Sequence, residues 1–395
     1  MASAGNIASR WEKLSGVDNW SGLLDPLDID LRRHILIYGD LVEAVGDAFN
    51  NVKVSKNYGT SRYSKANFFD RVSLVKGNPF RYQVTKFTYA AAELKFADWM
   101  DSSFIGYVAV ATDEGKEALG RRDIVVAWRG TILQSEWKQD IQLGLVSASE
   151  LLGDAASGGG AENPRVHEGF LSIYTSVNEN STQNKISARE QVLTEIRRLV
   201  DLYADEEMSV TISGHSMGSA VATLCAADIV ANGFNKPTGR PDRACVVTAI
   251  VTASPRVGDS DFKLAFSAME NLRLLRVRNA PDIVPNFPLW IPILPYVDIG
   301  EELLIDTRKS SYLKDSAPAH NQPVYLHGVA GTQGSRGGFE LEVDRDIALA
   351  NKEADALMED YRVPAAWWQV KNKGMVQAED GTWHLDDDPE VDDSL

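Results

Sequence analysis

The sequence predicts an α/β fold in which a mainly parallel central sheet is flanked by helices. Short apolar segments rich in β-branched residues alternate with longer segments whose apolar residues recur every three to four positions. A strand, helix, strand order of this kind builds parallel sheets that helices cover on both faces. The segments that predict strands are 104–111, 123–128, 208–213, 245–251 and 272–277, and those that predict helices between them are 186–203 and 217–231.

The 395 residues are enough for two average domains or for one large domain with additions. No internal repeat and no linker of distinct composition divides the chain. We therefore predict one α/β core at 101–345, preceded by a helical extension at 1–100 that packs on it. We expect 346–384 to form a C-terminal helix and extension, and the acidic residues 385–395 to be a disordered tail.

Composition narrows the range of partners and locations. A formal net charge of −16 would repel nucleic-acid phosphates and anionic lipid, so we expect neither a nucleic-acid partner nor electrostatic membrane anchoring. The two cysteines, Cys225 and Cys245, lie in apolar segments and are expected to be buried thiols. The first residues lack the apolar segment of a secretory signal, and no run of about 18 apolar residues occurs. We therefore expect a cytoplasmic protein.

One pentapeptide carries the chemistry of the chain. Gly214-His215-Ser216-Met217-Gly218 follows a predicted strand and precedes a predicted helix of small apolar residues. This is the setting of a nucleophile elbow, a sharp strand-to-helix turn that exposes a serine hydroxyl at the edge of a sheet. The alternative is a glycine-serine turn that merely begins a helix, and the position of the motif directly after an apolar strand favours the elbow. The pattern therefore predicts an α/β-hydrolase fold with Ser216 as its nucleophile.

A serine nucleophile needs a histidine base, which follows both the serine and the acid in this fold. Three histidines lie downstream of Ser216, namely His320, His327 and His384. His384 lies beside the acidic tail and is a weak candidate. Pattern alone does not decide between His320 and His327.

The acid that orients the base is expected in a loop at the end of a strand. Asp282 fits this expectation because it follows the predicted strand 272–277 and has a proline on either side in its loop. Asp259 and Asp261, which follow the preceding strand, compete with it.

An ester hydrolase also needs two preorganised donors for the oxyanion, and losing one typically costs about 10²–10³ in rate. The backbone N–H of Met217, directly after the nucleophile, is the first donor that the elbow predicts. Thr131, which follows Trp128-Arg129-Gly130 at the end of an earlier strand, could supply the second.

Several motifs together resemble a known family. The segments 126–131, 166–171, 214–218 and 279–285 occur in the order seen in class 3, fungal-type lipases of the α/β-hydrolase superfamily. The segments 20–28, 320–327, 351–352 and 363–368 further resemble the plant class II phospholipase A1 enzymes. The resemblance extends from about residue 11 to about residue 384.

The resemblance implies a role for each matching position. The nucleophile of the family falls on Ser216 and its acid on Asp282. Its base is a histidine followed five residues later by a tyrosine, which selects His320 with Tyr325 over the other downstream histidines. Its oxyanion residue after Arg-Gly falls on Thr131.

Two further segments bear on how the protein could contact lipid. The resemblance implies a lid over roughly 132–146, where Trp137 and Asp140 match a recurring Trp-x-x-Asp pair. The segment 287–297 is apolar and dense in proline, which excludes a regular helix. It could line an acyl-chain groove or contact a bilayer, and a rigid buried loop is the equal alternative.

These features predict a serine acylhydrolase that acts through an acyl-enzyme. Selectivity for the sn-1 ester of phospholipids is what the resemblance implies. We expect a phospholipid or another acyl lipid as substrate, with transient apolar contact to a lipid surface. No cofactor is expected, and no metal, because the sequence has no His-Cys cluster and no acidic loop of EF-hand spacing. The alternatives are a galactolipid, monoacylglycerol or triacylglycerol lipase, or a catalytically silent lipase-like regulator.

Overall fold

The computed structural model describes most of the predicted α/β core together with the segments before and after it. The described residues are 6–91, 102–131, 144–288, 295–368, 375–377, 379 and 383–385. Among them, no helix combines the length and the apolar composition that crossing a bilayer requires. Cys225 and Cys245 are both buried free thiols.

The strands of the described residues are, in chain order, β1 (Tyr82–Ala90), β2 (Ser103–Ala111), β3 (Arg122–Trp128), β4 (Leu145–Ser147), β5 (Arg165–His167), β6 (Met208–His215), β7 (Val246–Thr252), β8 (Leu272–Asn279), β9 (Glu301–Ile305), β10 (Met375–Gln377) and β11 (Trp383–Leu385). Seven of them form the central sheet in the order β1-β2-β3-β6-β7-β8-β9. The strands from β3 to β9 pair in parallel, while β1 and β2 add an antiparallel edge. The predicted, mainly parallel sheet is confirmed.

The α-helices of the same residues are α1 (Ile7–Leu14), α2 (Ile29–Ala48), α3 (Phe68–Arg71), α4 (Asp113–Leu119), α5 (Ser149–Leu152), α6 (Glu168–Thr175), α7 (Ala188–Leu202), α8 (Met217–Ala231), α9 (Ser260–Ser267) and α10 (Gln322–Gly331). Side chains of α1, α2, α3 and α10 pack on one face of the sheet, and those of α6, α7, α8 and α9 pack on the other. Local chemistry sets several helix starts. At α7, Ser187 and Glu190 form a reciprocal capping box.

Strand β3 shows how the sheet separates the two apolar cores. Ile124, Val126 and Trp128 pack into the core with α6, α7 and α8, whereas Val125 and Ala127 pack into the core with α2 and α10. Every residue of β3 is buried. A strand buried on both faces has a continuous apolar sequence, which is why the central strands were predictable.

The structure corrects the expectation of a helical extension over 1–100. Strand β1 lies inside that range and forms one edge of the central sheet. Its buried and exposed positions alternate irregularly, because two register shifts interrupt its pairing with β2. Strand β9 at the opposite edge was also missed, because its sequence is short and opens with two glutamates. Edge strands therefore lack the apolar run that marks the central ones.

The C-terminal segment also differs from expectation. Among the described residues of 346–384, the structure has short 3₁₀ turns at Ile347–Asn351 and Glu359–Tyr361 and the β10–β11 hairpin, rather than an α-helix. Side-chain and backbone contacts within the loop hold it, as Asn351 donates to the Val363 carbonyl and accepts from two backbone amides. Of the predicted tail, only Leu385 is described, as the last residue of β11.

Candidate active site

Ser216 occupies the sharp turn between β6 and α8. Its backbone has φ +58° and ψ −126°, a region of φ/ψ space that residues other than glycine rarely adopt. A Cβ on Gly214 would lie 2.3 Å from the Gly218 carbonyl oxygen, and one on Gly218 would lie 2.4 Å from the Trp128 carbonyl oxygen. Both glycines are therefore required by close backbone approach. The Ser216 N–H donates to the Thr252 carbonyl at 3.0 Å, which fixes the turn against β7.

The three predicted side chains meet at the carboxyl ends of the parallel strands. The Ser216 hydroxyl lies 2.8 Å from His320 Nε2, and His320 Nδ1 lies 2.8 Å from Asp282 Oδ2. Asp282 comes from the loop after β8, and His320 comes two residues before α10. The side chain of Asp282 is only 1% exposed, and that of His320 is 15% exposed. The arrangement can pass a proton from the hydroxyl to the imidazole while the carboxylate holds the ring.

Asp282 is held by more than the histidine. The Tyr325 hydroxyl donates to Asp282 Oδ2 at 2.6 Å, and the Val284 N–H donates to Oδ1 at 3.0 Å. The Tyr325 oxygen also accepts from the Asn279 N–H at 3.1 Å. Burial raises the pKa of Tyr325 well above its usual value, so its hydroxyl stays protonated and remains a donor. These bonds fix both the position and the orientation of the carboxylate.

Removing the Tyr325 hydroxyl tests this arrangement. Tyr325→Phe is expected to lower kcat for ester hydrolysis about tenfold with little change in KM. A misplaced Asp282 would stabilise the transition state less well, while substrate binding would be unaffected. Steady-state kinetics on a soluble ester measure both constants. Tyr107→Phe is the matched control, since it removes a buried hydroxyl that donates to the Leu41 carbonyl, within the core that α2 covers. An unchanged kcat in Tyr325→Phe, or an equal loss in the control, would contradict the assignment.

The oxyanion donors are expected beside Ser216. Met217 is the first residue of α8, so its N–H has no partner within the helix. Gly130 passes so close to the nucleophile that a Cβ there would lie 3.1 Å from the Ser216 Cβ. Thr131 follows directly and is half-buried. The structure thus brings the segment that carries the second predicted donor to the nucleophile.

Comparison with known proteins gives the family. Residues 125–291 match the family described as lipase (class 3). Phospholipase A1-II 1 of Oryza sativa subsp. indica is 52% identical over 400 residues, which cover 97% of this chain and 97% of that protein. Phospholipase A1-IIbeta of Arabidopsis thaliana is 47% identical and covers 97% of this chain and 95% of its own. The chain belongs to the plant class II phospholipase A1 family.

Solved structures similar to this class II phospholipase A1 family member include fungal lipases. The Lip2 lipase of Yarrowia lipolytica has 19% identity and a TM-score of 0.47, and the match covers 70% of this chain and 81% of that one. The triacylglyceride lipase of Rhizomucor miehei has 19% identity and a TM-score of 0.44, and the match covers 69% and 80%. Membership of the class 3 lipases, together with the observed sheet, confirms the predicted α/β-hydrolase fold.

The competing histidine and acids lie elsewhere in this phospholipase A1 family member. His327 Nε2 pairs with the Ser310 hydroxyl at 2.8 Å, and burial lowers the pKa of His327 to about 4, so it stays neutral. Asp259 caps α9 and pairs with Arg165, and Asp261 accepts from a loop amide. His384 lies in strand β11, paired with β10.

His215, the residue before the nucleophile, contributes a second imidazole to the site. Its ring centroid lies 4.9 Å from that of His320, and the two rings are tilted by 41°. Burial and the neighbouring His320 both hold the pKa of His215 well below its usual value. The ring is therefore neutral at physiological pH. An imidazolium that forms on His320 during reaction does not meet a second positive charge.

Parts of the predicted site fall outside the described residues. Most of the predicted lid, 132–143 with Trp137 and Asp140, and the centre of the apolar segment, 289–294, lie there. Within the described ranges, no group of three or more histidine, cysteine, aspartate or glutamate side chains is arranged to hold a metal ion.

Sequence reasoning missed the residues that hold the base in place. Asn279 Nδ2 donates to the Ala319 carbonyl at 3.0 Å, directly before His320. Two residues after His320, Gln322 accepts from the Thr252 hydroxyl at 2.6 Å and donates to the Gly39 carbonyl at 3.2 Å. The available signal was the position of these residues within the motifs 279–285 and 320–327. Their partners are distant in sequence, so no local pattern indicates what they contact.

Proposed function

We propose that this protein is a serine acylhydrolase that cleaves the sn-1 acyl ester of phospholipids and releases a fatty acid and a lysophospholipid. The observation that carries the proposal is the continuous hydrogen-bonded chain from Asp282 through His320 to Ser216. Selectivity for the sn-1 ester is supported by the relatives, which are named phospholipase A1-II.

The first half of the reaction forms an acyl-enzyme. His320 Nε2 takes the proton of the Ser216 hydroxyl as the oxygen attacks the ester carbonyl, and Asp282 stabilises the resulting imidazolium. The backbone N–H groups of Met217 and Thr131 stabilise the oxyanion of the tetrahedral intermediate. His320 then returns its proton to the departing glycerol oxygen, and the lysophospholipid leaves.

The second half restores the enzyme. His320 removes a proton from a water molecule, whose oxygen attacks the acyl carbonyl, and a second tetrahedral intermediate forms at the same donors. The Ser216 oxygen leaves with the proton from His320, and the fatty acid is released. Because the pKa of His215 is well below its usual value, its ring stays neutral while His320 carries the positive charge in each half of the reaction.

Labelled lipids test the substrate and the position of cleavage. We would supply the purified protein with phosphatidylcholine and with galactolipid, each labelled separately at sn-1 and at sn-2, and follow the released fatty acid. The proposal expects release of the sn-1 label from phosphatidylcholine and no release by Ser216→Ala. Predominant release of the sn-2 label would reject it.

The same experiment decides between the alternatives. Faster release from galactolipid, or from mono- and triacylglycerol added as further arms, would assign the protein to another lipase class. If the protein hydrolysed none of these lipids, a catalytically silent regulatory module would be favoured. The hydrogen-bonded triad argues against that alternative.

We further propose that the loop after Asp282 contacts the lipid surface. Ile283 is 50% exposed and Phe287 is 39% exposed, although both are large apolar side chains beside the site. With a net charge of −16, apolar contact rather than charge would hold the protein to lipid.

Replacing both side chains tests this contact. Ile283→Ser with Phe287→Ser is expected to raise the apparent KM for phosphatidylcholine vesicles about tenfold, since half-burying two such side chains supplies about 1–2 kcal/mol. Hydrolysis of a short-chain soluble ester should change less than twofold. Leu202→Ser is the matched control, because Leu202 is 61% exposed at the end of α7, which leads to the opposite end of β6 from Ser216. Equal effects on vesicles and soluble ester would contradict the contact.

A further inference from the structure

A cluster of charged side chains joins the C-terminal segment to α2 beneath the active site. We call it the charge cluster; its members are Asp40, Glu43 and Asp47 of α2, Arg345 directly before the C-terminal segment, and Lys352 and Glu353 within that segment. Four carboxyl groups and two cations therefore meet in one mostly buried region. The sequence motif Asn351-Lys352 contributes to this cluster, and the reaction described above does not use it.

Lys352 is the centre of the charge cluster. Its ammonium group contacts Asp47 Oδ2, lies 3.9 Å from Glu43 Oε1 and lies 4.6 Å from the ring centre of Trp368. Arg345 forms a bidentate ion pair with Asp40, in which both N···O distances are 2.8 Å. These contacts hold the backbone of the C-terminal segment against α2. They thereby fix the residue next to Lys352, which is Glu353.

Glu353 extends from the charge cluster to the base. Its Oε2 accepts from the side-chain amide of Asn321 at 3.0 Å. Asn321 directly follows His320 and is the N-cap of α10, because its Oδ1 accepts from the Val324 N–H at 3.3 Å. An asparagine amide has one oxygen and one nitrogen end, so a partner for the nitrogen determines which way the oxygen points. Glu353 is that partner.

This orientation matters for the residue that precedes the cap. If the Asn321 amide turned over, its NH₂ group would face the Val324 N–H and the cap would be lost. The start of α10 and the backbone of His320 would then be less constrained. Small misplacements of a catalytic group lower the rate steeply, even when they arise away from the reacting atoms.

We propose that Glu353 is a positioning residue for the base: by fixing the Asn321 amide, it holds His320 in line with Ser216 and Asp282. This inference deepens the proposed hydrolysis and rests on it. Glu353 touches neither the substrate nor the reacting atoms and acts through Asn321. The C-terminal segment is thereby a working part of the active site.

Kinetics of matched variants test the proposal. Glu353→Ala is expected to lower kcat about tenfold with KM within twofold of the wild type. Glu353→Gln, which keeps an oxygen acceptor for Asn321, should recover kcat to within about threefold. Asp355→Ala is the control, since it removes a surface ion pair to Lys314 from the same segment. Circular dichroism and thermal unfolding establish that each variant is folded at the assay temperature.

A double-mutant cycle separates positioning from general stability. Asn321→Ser keeps a side-chain oxygen that can cap α10 but removes the amide donor to Glu353. If Glu353 acts through Asn321, the double variant should lose no more kcat than either single variant. The proposal would be overturned if the kcat losses of the two single variants multiplied in the double variant. It would also be overturned by an unchanged kcat in Glu353→Ala, or by a fall in kcat that the conservative Glu353→Gln does not recover.

A second readout does not require the lipid substrate to be correctly assigned. Labelling of Ser216 by a fluorophosphonate probe depends on His320 as base but not on any acyl lipid. Glu353→Ala should slow this labelling about tenfold relative to wild type and to Asp355→Ala. Wild-type labelling without phospholipid hydrolysis would refute the proposed substrate alone, whereas equal labelling rates in wild type and Glu353→Ala would refute the positioning role.

Discussion

Ser216→Ala is expected to lower kcat for ester hydrolysis by about a million-fold, which leaves only the background that binding and the oxyanion donors supply. The substitution removes the attacking oxygen and nothing else from the site. The fold should be retained, since the Ser216 hydroxyl caps no helix and bonds to His320. Turnover of a soluble ester and of phosphatidylcholine vesicles measures the effect.

Ser219→Ala is the control for this prediction within the same turn. The Ser219 hydroxyl lies 2.8 Å from the Gly214 carbonyl oxygen and 2.7 Å from the Thr252 carbonyl oxygen, which share its single proton, so its loss should reduce the free energy of unfolding by about 1–2 kcal/mol. It should leave Ser216 able to react. Comparable activity in Ser216→Ala and wild type would remove Ser216 from the mechanism and the hydrolase proposal with it.

Lys352→Met is expected to lower the free energy of unfolding by about 3–5 kcal/mol at pH 8, because removing one partner leaves buried carboxylates without a counter-charge. The Lys352 side chain is 9% exposed and that of Asp47 is 2% exposed. Since proteins of this kind are stable by about 5–15 kcal/mol, the change is a large part of the total. Urea unfolding followed by circular dichroism measures it.

The loss in Lys352→Met should shrink as the pH falls. Burial raises the pKa of Asp47 to about 6 even with Lys352 beside it, and removal of the ammonium raises it further. The folded variant then binds a proton that the unfolded chain, with an aspartate pKa of 3.8, does not bind near pH 5. Stability relative to wild type therefore recovers as the pH falls from 8 towards 5.

A surface lysine of the same region provides the comparison. Lys314 pairs with Asp355 at 2.8 Å, but Asp355 is 56% exposed. Lys314→Met is expected to cost less than about 1 kcal/mol, with little dependence on pH. Similar losses in Lys314→Met and Lys352→Met would mean that the charge cluster is not held by its buried lysine.

The elements that could be predicted are those that a contiguous stretch of sequence is enough to identify. The strand before Gly214, the small helix after Gly218 and the serine between them are one contiguous pattern, and the structure has the elbow there. Asp282 was favoured because its loop follows a strand, which is again a local feature. Edge strands β1 and β9 were missed because one face of an edge strand meets solvent or loops, so no apolar run marks it.

What the sequence did not decide depends on distance in space. His320 and His327 are seven residues apart in one segment. In the folded chain His320 contacts Ser216 and His327 contacts Ser310, and the local sequence does not indicate which histidine faces the nucleophile. The charge cluster joins Asp47 to Lys352 across 305 residues, and no periodicity relates such positions. Among its described residues the C-terminal segment has no α-helix, because Asn351 holds this part of the chain through loop contacts instead.

The contacts of the charge cluster also order events during synthesis. The nucleophile and the acid lie in a part of the chain that is made before residue 345, and α2 is made earlier still. Lys352 and Glu353 emerge from the ribosome only after His320, so the cluster closes late, with 305 residues separating Asp47 from Lys352. A nascent chain that has folded its sheet would already display the serine, yet its base would still lack support. Since Glu353→Ala is expected to lower kcat about tenfold, turnover by such a chain should rise about tenfold once the cluster closes.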